Sequence, residues 1–246
     1  MSGSDLFAFV LMAAFAGVEA EDPVIPEVRY PSLPASAVRP EGFVPPGWRI
    51  EARARGDLNG DGIADLVLML HMRDRANILL FDGPGGATTL DTNPRMLAVI
   101  FARPRAGYRL VAVNLGLIPR PTELWTGEEP YGDDTIAVGR GILRVYFGHL
   151  RGWTRFRFRW QGAAMTLIGY DSTGVSGGCL GVTSINYLTR RARLERGLIS
   201  SEHLQTSWRR LRTASRPTFD RLDLDSFNPE EAIEGPSFFC SETEGG

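Results

Sequence analysis

Asp57, Asn59 and Asp61 fall on alternate positions of the segment GDLNGDGIADLVL, residues 56 to 68, and Asp65 follows four residues on. Counted from Asp57, these four hold positions one, three, five and nine of a loop, with Gly62 at position six and Ile63 at position seven. Alternate residues of a tight loop turn their side-chain oxygens inward. A glycine at position six permits the sharp turn, and the carbonyl at position seven points the same way. Hard oxygens in that pattern suit a calcium ion, which takes six to eight of them at about 2.3–2.6 Å. The competing reading is an Asp/Asn/Gly hairpin turn with no ion, which would leave three carboxylates repelling one another. Position twelve is Leu68, where a helix–loop–helix calcium site would carry a bidentate glutamate. An affinity nearer ~10⁻⁴–10⁻³ M than that of a cytosolic sensor is therefore expected.

Here the loop runs into the apolar stretch DLVLMLH, which reads as a strand. The combination resembles the FG-GAP/VCBS type of repeat, whose DxNxDGxxD loops precede a strand and bind calcium in β-propeller blades. The resemblance covers about 20 residues. It implies Ca2+ as the ion, with Asp57, Asn59, Asp61, Asp65 and the Ile63 carbonyl as ligands and a structural role in fixing the turn between two strands. A single copy of the motif does not imply a propeller.

Other chemistry finds less support. The chain contains no lysine, its 27 cationic side chains all being arginine. This excludes the Walker-type phosphate loop, Schiff-base and pyridoxal chemistry and the kinase ATP site, because guanidinium stays protonated and cannot act as base or nucleophile. His71, His149 and His203 lie far apart in no metal-ligand spacing. GVSGG, residues 174 to 178, matches the G-x-S-x-G of a nucleophile elbow around Ser176. A DSTG turn precedes it and a poor helix start follows, so a Gly/Ser loop is expected instead. The acidic pairs Glu128/Glu129 and Asp133/Asp134 sit in a GEEPYGDD loop, where they could serve a glycosidase or a second cation, or simply be solvated.

The elements that must position these residues read as short strands at intervals of about ten residues: 48–55, 65–71, 77–81, 96–102, 108–115, 142–148, 154–160, 164–170, 183–189, 192–198 and 205–211. The expected fold is mainly β, an antiparallel meander or sandwich-like sheet with few or no long helices. In TRFRFRW, Phe156, Phe158 and Trp160 share one face and Arg155, Arg157 and Arg159 the other. The aromatic face should be core.

Residues 140–216 carry 14 arginines against three acids, and residues 217–246 carry eight acids against one arginine. In one reading the Arg155, Arg157 and Arg159 face binds an anionic glycan or envelope component. In the favoured one, acids elsewhere in the chain neutralise it within the fold. The net charge of -2 gives no general attraction to nucleic acid.

Residues 6–18, LFAFVLMAAFAGV, form an apolar run too short to span a bilayer and of the length of a signal-peptide core, although MSGSD before it lacks a basic residue. The expected organisation is a signal peptide over 1–20 and a Pro-rich extended leader over 21–47. A β domain over 48–216 and an acidic tail over 217–246 follow. The product should be periplasmic or secreted, with no transmembrane segment after cleavage. Cys179 and Cys240 could then form one disulfide, or remain two partly buried thiols. Function on this reading is structural or binding. A secreted hydrolase of glycans or esters and a surface adhesion module using the arginine face are the alternatives.

Overall fold

The computed structural model describes residues 24–83, 86–121, 131–132, 134–201, 203–212, 216–236 and 240. The fold is mainly β, as expected, and among the described residues the only helical pieces are 3-10 turns of three or four residues. Among the described residues, fourteen strands run in chain order. They are β1 (Ser36–Ala37), β2 (Trp48–Gly56), β3 (Asp65–Met72), β4 (Ile78–Gly83), β5 (Gly86–Asp91), β6 (Arg95–Arg103), β7 (Gly107–Asn114), β8 (Ile136–Gly139), β9 (Ile142–His149), β10 (Gly152–Gln161), β11 (Ala164–Ser176), β12 (Cys179–Asn186), β13 (Arg191–Leu198) and β14 (Gln205–Arg210). They form a five-stranded sheet of order β1-β7-β6-β3-β2, a seven-stranded meander from β8 to β14, and the hairpin β4-β5. All pairings are antiparallel.

The two large sheets face each other across one core. Ala52, Ala54, Val67, Met69, Leu97 and Val99 of the first meet Leu143, Val145, Phe156, Phe158, Leu167 and Ile185 of the second. The period-two reading of TRFRFRW holds: Phe156 and Phe158 are fully buried, and the arginines alternate with them on the outer face. β3 and β6 are buried along nearly their whole length, because both their faces are covered. The second face of the five-stranded sheet, with Leu66, Leu68, Leu70, Met96, Ala98 and Ile100, packs beneath Phe43, Trp48, Tyr30, Leu33 and Val44. The Pro-rich leader is therefore a cover for this sheet. It also contributes β1, paired through Ser36 and Ala37 to Arg109 and Tyr108.

The acidic C-terminal segment is likewise part of the packing over its described residues. Phe219, Leu222 and Ile233 are buried in the main core, and Phe227 packs on Phe156 and Tyr170 at ring distances of 5.4 and 5.3 Å. Asn114 holds this segment by donating from Nδ2 to the carbonyls of Phe219 and Leu222 at 2.5 and 2.6 Å. DSTG (171–174), expected as a turn, lies inside β11, each of its residues paired with both β10 and β12. Small polar residues suit a strand whose neighbours, Arg155, Ser184 and Thr183, offer them partners.

Candidate functional site

The loop 57–65 connects β2 to β3, and its conformation is written in side-chain-to-backbone hydrogen bonds. Asp57 accepts the Gly60 amide at 2.7 Å through Oδ1 and the Gly62 amide at 2.9 Å through Oδ2. Asn59 Oδ1 accepts the Asp61 amide at 2.9 Å, and Asp61 Oδ1 accepts the Ile63 amide at 2.8 Å. Asn59 Nδ2 donates to Asp61 Oδ2 at 3.0 Å. Gly60 and Gly62 take φ values of 83° and 81°, the left-handed region in which only glycine is unstrained, so the glycine at position six serves the turn as expected. The Gly62 and Gly60 amides hold the Asp57 carboxyl below its ordinary pKa.

The loop brings Asp57, Asn59, Asp61 and Ile63 together at the surface and directs Asp65 inward. Asp65 is fully buried, with Oδ2 accepting the Leu58 amide at 2.9 Å and Oδ1 the Ala102 amide at 3.0 Å. Burial raises its pKa against the pull of those two amides, and the nearby charges of Asp61 and Asp57 raise it further. Among the described residues, no three Asp, Glu, His or Cys side chains form a metal cluster by themselves. The donors suit a hard cation in kind, being carboxylate, amide and carbonyl oxygens that each keep a second lone pair. In number they are few, since Asp65 is engaged with two amides, so waters would complete any coordination.

On the outer face of the seven-stranded sheet, Asp171 neutralises two of the three arginines. Arg155 donates to Asp171 Oδ2 from Nε at 3.2 Å and Nη2 at 3.1 Å, Arg157 Nη2 stands 2.9 Å from the same oxygen, and Ser184 Oγ donates to Oδ1 at 2.7 Å. Arg159 shares this face and is partly exposed. From the acidic segment, Glu230 reaches Arg196 at 3.5 Å.

Ser176 ends β11 opposite Cys179, and the hairpin tip Gly177–Gly178 returns the chain into β12. No helix follows, so the strand–turn–helix geometry of a nucleophile elbow is absent here. Cys179 and Cys240 form a disulfide with Cα atoms 5.9 Å apart. A bridge of this kind is consistent with an extracytoplasmic location. Ser176, His149, Arg196, Glu230 and the disulfide line a cleft of ≈ 680 Å³. Glu128, Glu129 and Asp133 lie outside the described residues, as does the stretch read as a signal peptide, and Asp134 is exposed. No described helix is long and apolar enough to cross a membrane.

Sequence reasoning missed one buried charge cluster altogether. Glu51 takes Arg95 Nε at 2.6 Å, His71 Nδ1 at 3.0 Å and Arg49 Nη2 at 3.1 Å. Burial would raise the Glu51 carboxyl, but the hydrogen bonds and charges of His71 and Arg95 outweigh it and hold the pKa down at about 2. The Arg95 guanidinium also stands 4.7 Å from the Tyr131 ring centre. Only β2–β3–β6 pairing unites residues so far apart in sequence.

No family model matches this chain, and no curated protein or solved structure matches it either.

Proposed function

We propose that this chain is an exported, calcium-stabilised β domain with a structural or binding role, its loop 57–65 being of the FG-GAP/VCBS kind. The observation that carries the reading is the surface turn in which the side chains of Asp57, Asn59 and Asp61 are held on the loop's own amides around two left-handed glycines. Asp57 and Asp61 would hold the ion, Asn59 and Ile63 would add neutral oxygens, and Asp65 would contribute through its remaining lone pairs. Bound calcium supplies the positive charge that two surface carboxylates within one short turn otherwise lack. Asp65 meanwhile anchors the loop to β6 through Ala102, so tightening the turn also tightens the β2–β3–β6 region beneath it. The disulfide supports export, because such bonds persist in oxidising compartments.

Thermal melting of the disulfide-intact chain in millimolar calcium and in chelator tests the reading. The expected result is a rise of roughly a few degrees with calcium, lost in Asp57→Ala and in Asp61→Ala. Superimposable melting curves for the unaltered chain in the two conditions would overturn it.

A further inference from the structure

The inner face of the seven-stranded sheet changes character along its strands. Where it meets the other sheet it is aromatic and aliphatic, with Val145, Phe156 and Ile185 in the core. Towards the β11–β12 hairpin it becomes polar and then rich in glycine. Cross-strand register sets Thr154 against Ser172 and Ser172 against Thr183, which makes a row of three hydroxyls across β10, β11 and β12. Two residues further on, the same face carries His149, Gly152, Gly174, Gly181 and Arg196 in one continuous row from β9 to β13. The Thr173 backbone stands against Gly152 and the Arg196 side chain covers Gly181, so Gly174 is the open position among these three glycines. Thr154, Ser172 and Thr183 of the first row, and His149, Gly174, Gly181 and Arg196 of the second, line the ≈ 680 Å³ cleft.

The cleft mixes polar groups with Leu198, Pro229 and the disulfide, and Arg196 and Glu230, the arginine and the carboxylate in its lining, face each other. Tyr170 is 7% exposed, and burial raises the pKa of its hydroxyl against the pull of Ser172 and Thr154. Arg196 lies across Gly181, donating from Nη1 to the carbonyls of Val182 and Glu195 at 2.8 and 2.9 Å and from Nη2 to Thr183 Oγ1 at 3.2 Å. Its charge is answered by Glu230 of the opposite wall at 3.5 Å. His149 stands at the rim, and partial burial lowers its pKa, which favours the neutral ring. Pro229 and Glu230 close the far side, and the Cys179–Cys240 bridge closes one end.

We propose that this cleft binds a neutral oligosaccharide, a sugar ring lying over Gly174 with hydroxyls against the Thr154–Ser172–Thr183 row and beside the Arg196–Glu230 pair. Sugar hydroxyls both donate and accept, as do the hydroxyls that line the cleft, and the paired Arg196 and Glu230 add a fixed donor beside a fixed acceptor. Charge selects the ligand class: a site whose one guanidinium already faces a carboxylate gives little return to an anion and much to an uncharged polyol. The volume falls within the range of about 300–1,000 Å³ found for small-ligand sites. The open position at Gly174 lets a flat ring approach the backbone, which any larger residue there would prevent. A Cβ there meets nothing nearer than 3.9 Å, so the space above Gly174 is open.

The test is titration calorimetry of the full, disulfide-intact chain against maltotetraose, cellotetraose, chitotetraose and a galacto-oligosaccharide, with heparin tetrasaccharide as the anionic comparison. Saturable binding of at least one neutral sugar is expected, weakened about tenfold or more in Ser172→Ala and abolished in Gly174→Leu. Binding should persist in chelator, in Asp57→Ala and in Trp208→Ala on the opposite face. Melting checks that each variant is folded, and Ser172→Ala alone decides if Gly174→Leu is not. Failure of every neutral sugar to bind, binding of the anionic one only, or full affinity in a folded Ser172→Ala would overturn the proposal. Abolition by Trp208→Ala would also overturn it, by moving the ligand to the outer face. The calcium reading stands or falls separately, on the melting curves.

Discussion

Asp65, at the first position of β3, accepts the backbone amide of Ala102 on β6 at 3.0 Å through its Oδ1, while its other oxygen takes the Leu58 amide. One buried carboxylate therefore ties the surface loop to the second strand behind it. Asp65→Ala leaves two buried N–H groups without acceptors and should cost about 2–4 kcal/mol. Asp65→Asn keeps one acceptor and should cost roughly half as much. Urea unfolding in chelator measures both. A loss that appears only when calcium is present would show that Asp65 acts through the ion and not through the amides.

The Glu51 cluster predicts an acid limb to stability. The folded-state pKa of about 2 lies below the ordinary glutamate value of 4.5, so the fold favours the ionised form. The contribution is complete above the ordinary value and declines as pH falls towards 2, to a total of about 3 kcal/mol. Asp65 works in the opposite sense, since its folded-state pKa is raised: what it adds is present at low pH and lost as pH rises through that value. Urea midpoints taken from about pH 6 to about pH 3 should fall for the unaltered chain and fall less steeply for Glu51→Gln. Parallel slopes in the two proteins would remove Glu51 as the cause.

Arg157 lies flat over Gly169, its cross-strand neighbour, where a Cβ would stand 2.6 Å from Nε and Nη2. Gly169→Ala should lift the guanidinium off the sheet and away from Asp171 at a cost of about 1 kcal/mol. Asp171→Ala should cost more, about 2–3 kcal/mol, because it strands Arg155, Arg157 and the Ser184 hydroxyl together. The same change frees two positive charges on the outer face. Heparin retention that rises in Asp171→Ala, at lowered stability, is the expected signature; unchanged retention would mean that Asp171 does not mask them.

Reduction of the disulfide removes a cross-link spanning 61 residues, worth about 4 kcal/mol in the chain-entropy view. Cys179→Ser with Cys240→Ser should melt well below the unaltered chain and match its reduced form. Melting at the temperature of the oxidised protein would overturn that expectation.

Much of the architecture was readable from side-chain periodicity. TRFRFRW announced both faces of β10, and DLVLMLH announced a strand, though not that both its faces are covered. The loop's turn chemistry was readable for the same reason, since Asp, Asn and Gly make their bonds within a few residues. Long-range register was not. Phe219, Leu222 and Ile233 are spaced among acids without a period, so nothing local marked them as core. The hydroxyl and glycine rows exist only across strands: Thr154, Ser172 and Thr183 mean nothing until pairing aligns them, and the DSTG stretch reads as a turn until its neighbours are known. The inward aim of Asp65 escaped too, because Ala102 lies 37 residues away.

The apolar outer slab of the five-stranded sheet is roofed by residues ahead of Trp48 that carry little regular structure of their own. A polypeptide begun at Trp48, the boundary that composition suggests, would bare Leu66, Leu68, Leu70, Met96 and Ile100 to water as one sticky plane and strip β7 of its edge partner. Such a shortened protein should self-associate during expression, and anyone trimming this chain for crystallisation would do well to leave its prolines in place.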